Sequence, residues 1–146
     1  MKKIMAALFA GLMAFQLSAS DSSWLTDLDK AKEQAKKENK LVLIDFTGSD
    51  WCGWCIKLDK ETFSKSEFKD YAKKNVVLVE LDFPRKKEQP EELKKANQAL
   101  KSKFGVKGFP TLVILNSDGK EVWKQPGYLA GGPKAMIEKL EEAKKK

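Results

Sequence analysis

Apolar positions along this chain follow two rhythms. Leu41 to Phe46 and Val76 to Phe83 are near-continuous apolar runs, as expected of strands covered on both faces. Thr111 to Leu115 is a third strand, and Asn116-Ser117-Asp118-Gly119 is a hairpin turn into a return strand over Glu121 to Lys124. Between these runs the spacing becomes helical. Residues 22–39 place Trp24, Leu28, Ala31 and Ala35 on one face, with Ser22 or Ser23 as N-cap. Further helices are expected from about Cys52, over Ser64 to Lys74, over Glu91 to Phe104 and from Pro133 onward. The third of these puts Leu93, Ala96, Leu100 and Phe104 on one face, with Pro90 in its first turn, and the last turns Met136, Ile137 and Leu140 inward. Pro84 to Pro90 is polar, bounded by proline, and reads as a loop. This order predicts an α/β fold in which a parallel βαβ start and an antiparallel hairpin share one mixed sheet, flanked by helices.

The first twenty residues stand apart from that pattern. Lys2 and Lys3 precede an apolar stretch from Ile4 to Leu17, and Ser18-Ala19-Ser20 supplies small residues for cleavage. The stretch is about 14 residues, short of the roughly 20 that a spanning helix needs. A signal peptide over 1–20 and one domain over 21–146 are therefore expected, with an exported, periplasmic or secreted product. No lasting membrane insertion is expected after cleavage. Removing Lys2 and Lys3 from the net charge of +7 leaves +5. Of 28 basic residues only Arg85 is arginine, and the lysines are dispersed among 21 acidic residues. Nucleic-acid readers lean on arginine for bidentate contacts, so no nucleic-acid partner is expected.

The only two cysteines lie in Trp51-Cys52-Gly53-Trp54-Cys55, and there is no histidine. Without histidine, the usual Ser-His-Asp and Cys-His hydrolases are excluded, and zinc would need an uncommon ligand set. No metal or cofactor is expected. As a static bridge in an oxidising compartment, a loop this small constrains the unfolded chain little. An exchangeable pair uses the spacing better. A free thiol with a pKa of about 8.5 is only ~3% thiolate at pH 7, and lowering the pKa to about 7 makes roughly half reactive. A helix N-terminus provides that shift, which makes Cys52 the nucleophile, expected to be the more exposed, and Cys55 the resolving thiol. Gly48 and Gly53 are read as allowing a tight turn there. Asp50 opposes the shift on Cys52, and Lys57 favours it.

Three segments, Ile44-Asp45-Phe46, Trp51 to Cys55 and Phe104-Gly105-Val106-Lys107-Gly108-Phe109-Pro110-Thr111, resemble the landmark segments of the thioredoxin superfamily in order and distance. The resemblance spans essentially the whole expected mature chain. It is nearest to exported members such as the periplasmic domain of the transmembrane thiol–disulfide electron transporter. It implies a thioredoxin-like fold and thiol–disulfide oxidoreductase activity, with Cys52 attacking and Cys55 resolving. Pro110 matches the family's cis-proline, whose loop, with Phe109, pairs with substrate backbone. Asp45 matches the buried acid that relays a proton to the resolving cysteine. Trp51 matches the tryptophan beside the site, and Gly53 and Trp54 complete the expected substrate-binding set. Trp54 stands where proline or histidine is common, so it is either a substrate contact or an apolar cover. The implied partners are disulfide-containing protein substrates and a redox partner, served by a monomer. The absence of an inserted helical domain or a dimerisation domain favours a reductase-like role. The competing reading is a non-catalytic binding module with a static Cys52–Cys55 bridge.

Overall fold

The computed structural model describes residues 24–146, so the expected leader over 1–20 and the Ser22 or Ser23 cap lie outside the described residues. The elements are β1 (Trp24–Leu25), α1 (Leu28–Glu38), β2 (Leu41–Thr47), α2 (Gly53–Leu58), α3 (Ser66–Asn75), β3 (Val76–Asp82), α4 (Glu91–Lys103), β4 (Thr111–Leu115), β5 (Glu121–Pro126) and α5 (Gly132–Ala143). The strands form one mixed sheet in the order β1-β3-β2-β4-β5. β3 runs parallel to both β1 and β2, while β4 is antiparallel to β2 and to β5. Among the described residues no helix is long and apolar enough to cross a membrane.

Strand alternation divides the interior into two cores. Leu41 and Leu43 of β2 face α2, α3 and α5, packing with Leu58, Phe63, Phe68, Met136 and Leu140. Val42, Ile44 and Phe46 face the other side with Leu28, Ala31 and Ala35 of α1. Every residue of β2 is buried, which explains its near-continuous apolar run. The same parity sends Asp45, the strand's one acid, to the α2 side.

Several local expectations are corrected. Trp24 lies in β1 and not in the first helix: it pairs with Leu78, and its ring meets Phe63 at 5.1 Å. The helix starts later because the Asp27 carboxylate accepts the N–H groups of Asp29 and Lys30. In α4 the inward position is Asn97, whose side chain donates to the Asp82 carbonyl at 3.1 Å, whereas Ala96 is exposed. Pro90 is the residue before this helix and not in its first turn. Finally, α2 continues into a π-helical turn over Asp59–Phe63 that carries no obvious sequence signal. The hairpin turn is as expected, with Gly119 at φ +83° and the Asn116 side chain accepting two backbone N–H groups.

The loop after β3 is firmly tied to the turn after β2. Asp50 accepts the backbone N–H groups of Arg85, Lys86 and Lys87 at 3.0, 2.9 and 2.8 Å. Asp82 accepts the Ser49 N–H and hydroxyl at 3.0 and 2.6 Å, and its carboxylate also pairs with Lys87 at 3.1 Å. Trp51 Nε1 donates to the Phe83 carbonyl at 2.7 Å. The Arg85 amide, then those of Lys87 and Lys86, holds the Asp50 carboxyl below its ordinary range.

Phe68 is fully buried between the sheet and α5, so Phe68→Ala is expected to cost about 3–5 kcal/mol in chemical unfolding. Asp50→Asn removes the charge that holds three amides, so hydrogen exchange at Arg85, Lys86 and Lys87 is expected to accelerate selectively. In the native protein the same protection is present above the ordinary aspartate pKa and is lost as pH falls through the depressed folded value.

Candidate active site

The turn leaving β2 delivers both cysteines to the end of the sheet. Gly48 is required there for space and not for an unusual backbone: a Cβ at this position would lie 2.5 Å from the Trp51 ring. Gly53 has open space around it and is exposed, so the expected tight-turn role does not apply to it. Cys52 is the N-cap of α2, and the Cys55 N–H donates to its Sγ at 3.2 Å. The helical path from Gly53 continues without a break through the π turn to Phe63, so Cys52 sits at the positive end of a run of eleven residues. The two cysteines form a disulfide with their Cα atoms 5.2 Å apart.

Exposure does not separate the cysteines as expected. Cys52 is 6% exposed and Cys55 4%, so both sulfurs of the oxidised pair are buried. What distinguishes them is position: Cys52 Sγ receives a helix-start N–H, while Cys55 lies one turn inside and faces a cleft below.

That cleft has a volume of about 310 Å³ and is lined by Asp45, Cys55, Asp59, Phe63 and Glu80 among others. Asp45 and Glu80 are register partners on the parallel strands β2 and β3, so both project to the same face of the sheet. Asp45 is buried, and its Oδ1 has no hydrogen-bond partner among the described residues. Burial pushes its carboxyl well above the ordinary range, and the negative charges of Glu80, Asp59 and Asp82 add to the effect. Glu80 is raised as well, first by burial and then by Asp82, with Lys87 opposing. Neither Glu80 nor Asp59 was singled out from sequence. For Glu80 a signal existed, since it is the one charge inside the apolar run Val76 to Leu81.

On the outer side, the Phe109–Pro110 bond is cis and Pro110 is buried. The loop is held by the Gly127 N–H donating to the Pro110 carbonyl at 2.8 Å and by Thr111 Oγ1 donating to the Gly108 carbonyl at 2.8 Å. Phe109 packs edge-on against Trp51 with centroids 5.8 Å apart and against Phe83 at 4.9 Å. Trp54 is 57% exposed and lies against Tyr128 at 5.2 Å, so it covers no core. The structure therefore brings Trp51, Phe109 and Pro110 together, with Asp45 beneath Cys55 and Trp54 on an aromatic ledge beside the disulfide. Tyr128, in the turn after β5, had no signal in the linear pattern.

The family described as Thioredoxin-like domain matches residues 28–144. Disulfide bond reductase DsbH of Chlamydia pneumoniae is 40% identical over 129 residues, covering 88% of this chain and 76% of that protein. Among solved structures, a DsbH oxidoreductase aligns with TM-score 0.76 at 40% identity over 84% of this chain and 83% of its own. The reduced C-terminal domain of Neisseria meningitidis DsbD aligns with TM-score 0.60 at 27% identity, covering 80% of this chain and 93% of that one. With a disulfide at the start of a helix, a cis-proline loop packed through Phe109 on the adjoining Trp51 and a family match over residues 28–144, the chain belongs to the thioredoxin-like family and is a thiol–disulfide oxidoreductase.

Proposed function

We propose that this chain is exported and works as a reductase of protein disulfides, with Cys52 as nucleophile and Cys55 as resolving thiol. The observation that carries this reading is the Cys55 N–H aimed at Cys52 Sγ at 3.2 Å. In the reduced protein the same donor and the helix start stabilise a thiolate on Cys52 and on no other sulfur. The name of the relative DsbH, a disulfide bond reductase, supports the direction of electron flow. The leader-like segment over 1–20 supports export.

The reaction balances as two exchanges. Cys52 thiolate attacks one sulfur of a substrate disulfide; that S–S bond breaks, and the other substrate sulfur leaves as thiolate and takes a proton. Cys55 then loses its proton and attacks Cys52 Sγ, breaking the mixed disulfide and releasing the second substrate thiol. Two electrons have passed to the substrate, and Cys52–Cys55 is oxidised. An external dithiol partner reverses this on the enzyme. Asp45, across the same cleft as Cys55, receives the Cys55 proton when it is ionised, and its raised pKa makes it a stronger base than an ordinary carboxylate. Pro110 and Phe109 hold the substrate segment, and Trp51 and Trp54 flank it.

Cys52→Ser is expected to abolish insulin reduction, and full activity in that variant would remove Cys52 as nucleophile. Cys55→Ser is expected to accumulate mixed disulfides through Cys52; trapping that instead requires loss of Cys52 reverses the two roles. A very negative potential with no measurable exchange would favour the static binding module. For Asp45, a folded pKa raised above the unfolded value means that ionisation costs stability as pH rises through this range. Asp45→Asn is therefore expected to be more stable than the native protein at pH 7, with the gain vanishing below the ordinary aspartate pKa. Its release of mixed disulfide at neutral pH should be slower, read by single-turnover kinetics.

A further inference from the structure

The one arginine among 28 basic residues stands at the reactive face. Arg85 Cζ lies 3.5 Å from the centroid of the Trp51 ring, and Trp51 in turn meets Phe109 of the cis-proline loop. A second cation covers the other tryptophan of the motif: Lys57 Nζ lies 5.1 Å from the Trp54 centroid and 5.2 Å from that of Tyr128. Each tryptophan flanking Cys52 and Gly53 thus carries a positive charge on its face.

Neither cation is neutralised within the described residues. No carboxylate lies within ion-pair distance of Arg85 or Lys57, and the Arg85 guanidinium makes no hydrogen bond. Asp50, which accepts three backbone N–H groups, and Glu61, which accepts the Tyr128 hydroxyl, form no ion pair with either cation. Arginine has a specific use here. Stacked flat on an indole, a guanidinium keeps its N–H edges free for a carboxylate in the plane, which a lysine ammonium does not reproduce. Its backbone is held in place by the Asp50 bond to its own N–H, so the group is presented in advance of binding.

We propose that Arg85 and Lys57 form a pair of carboxylate-receiving positions that select protein disulfides flanked by acidic residues. This deepens the reductase reading and rests on it. The occupant is a disulfide-bearing segment whose cysteine lies over Cys52, with an aspartate or glutamate on one side reaching the Arg85 edge and one on the other side reaching Lys57. Two exposed cations without an ion pair favour an acidic segment, and a flanking lysine meets repulsion from both.

The test uses the reduced full domain and two peptide disulfides identical except for Asp or Lys on either side of the cystine. Single-turnover exchange at low salt is expected to favour the acidic peptide by about 10-fold, roughly 3-fold per cation, as exposed charge pairs allow. The preference should shrink toward unity at 0.5 M salt, where screening is strong. Lys57→Ala and Arg85→Ala should each reduce the acid-to-base ratio, and the double variant should abolish it. Arg85→Lys should restore only part of its share. An unchanged ratio in the double variant, or no preference in the native protein, overturns the proposal. A second arm measures tryptophan fluorescence on binding the same peptides with serine in place of cysteine. Acidic preference in binding without any exchange would leave this surface standing and remove the reductase reading; equal binding of both peptides would overturn the surface itself.

Discussion

The reactive end of this protein depends on the complete burial of β2. A strand with core on both faces is held in a single register, because a slip of one residue would exchange the sets of side chains that fill the two cores. That register places Asp45 on the α2 side and sets where the chain leaves the sheet at Thr47. The turn after it, the start of α2 and the position of both sulfurs inherit the precision of this strand. β3 repeats the constraint, and since it runs parallel to β2 in direct register, Glu80 must stand beside Asp45.

The electrostatics at the disulfide are divided by depth. Beneath it, Asp45, Glu80 and Asp59 surround a cleft with little compensating positive charge, and the burial of Asp45 favours its protonated form. Above it, Arg85 and Lys57 lie on aromatic faces open to solvent. In the mechanism we propose, Cys52 at the helix start becomes anionic, and Cys55, facing the cleft, keeps its proton until the first sulfur has reacted. The Asp50 carboxylate is held by three backbone amides and serves as a structural link between the two loops.

Much of this was legible in the linear sequence where the signal was local. Apolar runs identified the three inner strands, the hairpin turn followed from Asn116 to Gly119, and the CxxC segment with Gly108-Phe109-Pro110-Thr111 marked the site. The misreadings share a cause. Trp24 fits helical spacing with Leu28, yet its backbone completes the sheet beside β3, a pairing partner more than fifty positions away. Ala96 looked apolar and inward, but Asn97 takes the buried position and, with Gln89, donates to the Asp82 carbonyl, a partner distant in sequence. Gly53 resembled a turn glycine, while the steric demand lay at Gly48 under the Trp51 ring.

By itself the sequence determined the strand and helix periods, the two reactive sulfurs and their spacing, since these depend on side-chain type and near neighbours. Only the tertiary structure decided the surroundings of those sulfurs. Glu80 joins Asp45 through strand register, Arg85 reaches Trp51 across 34 positions through a loop pinned by Asp50, and Tyr128 comes to Trp54 from the far end of β5. Such contacts are set by how the sheet closes and where the loops are tied, and a linear pattern holds no record of which distant charges will meet in a region of low dielectric.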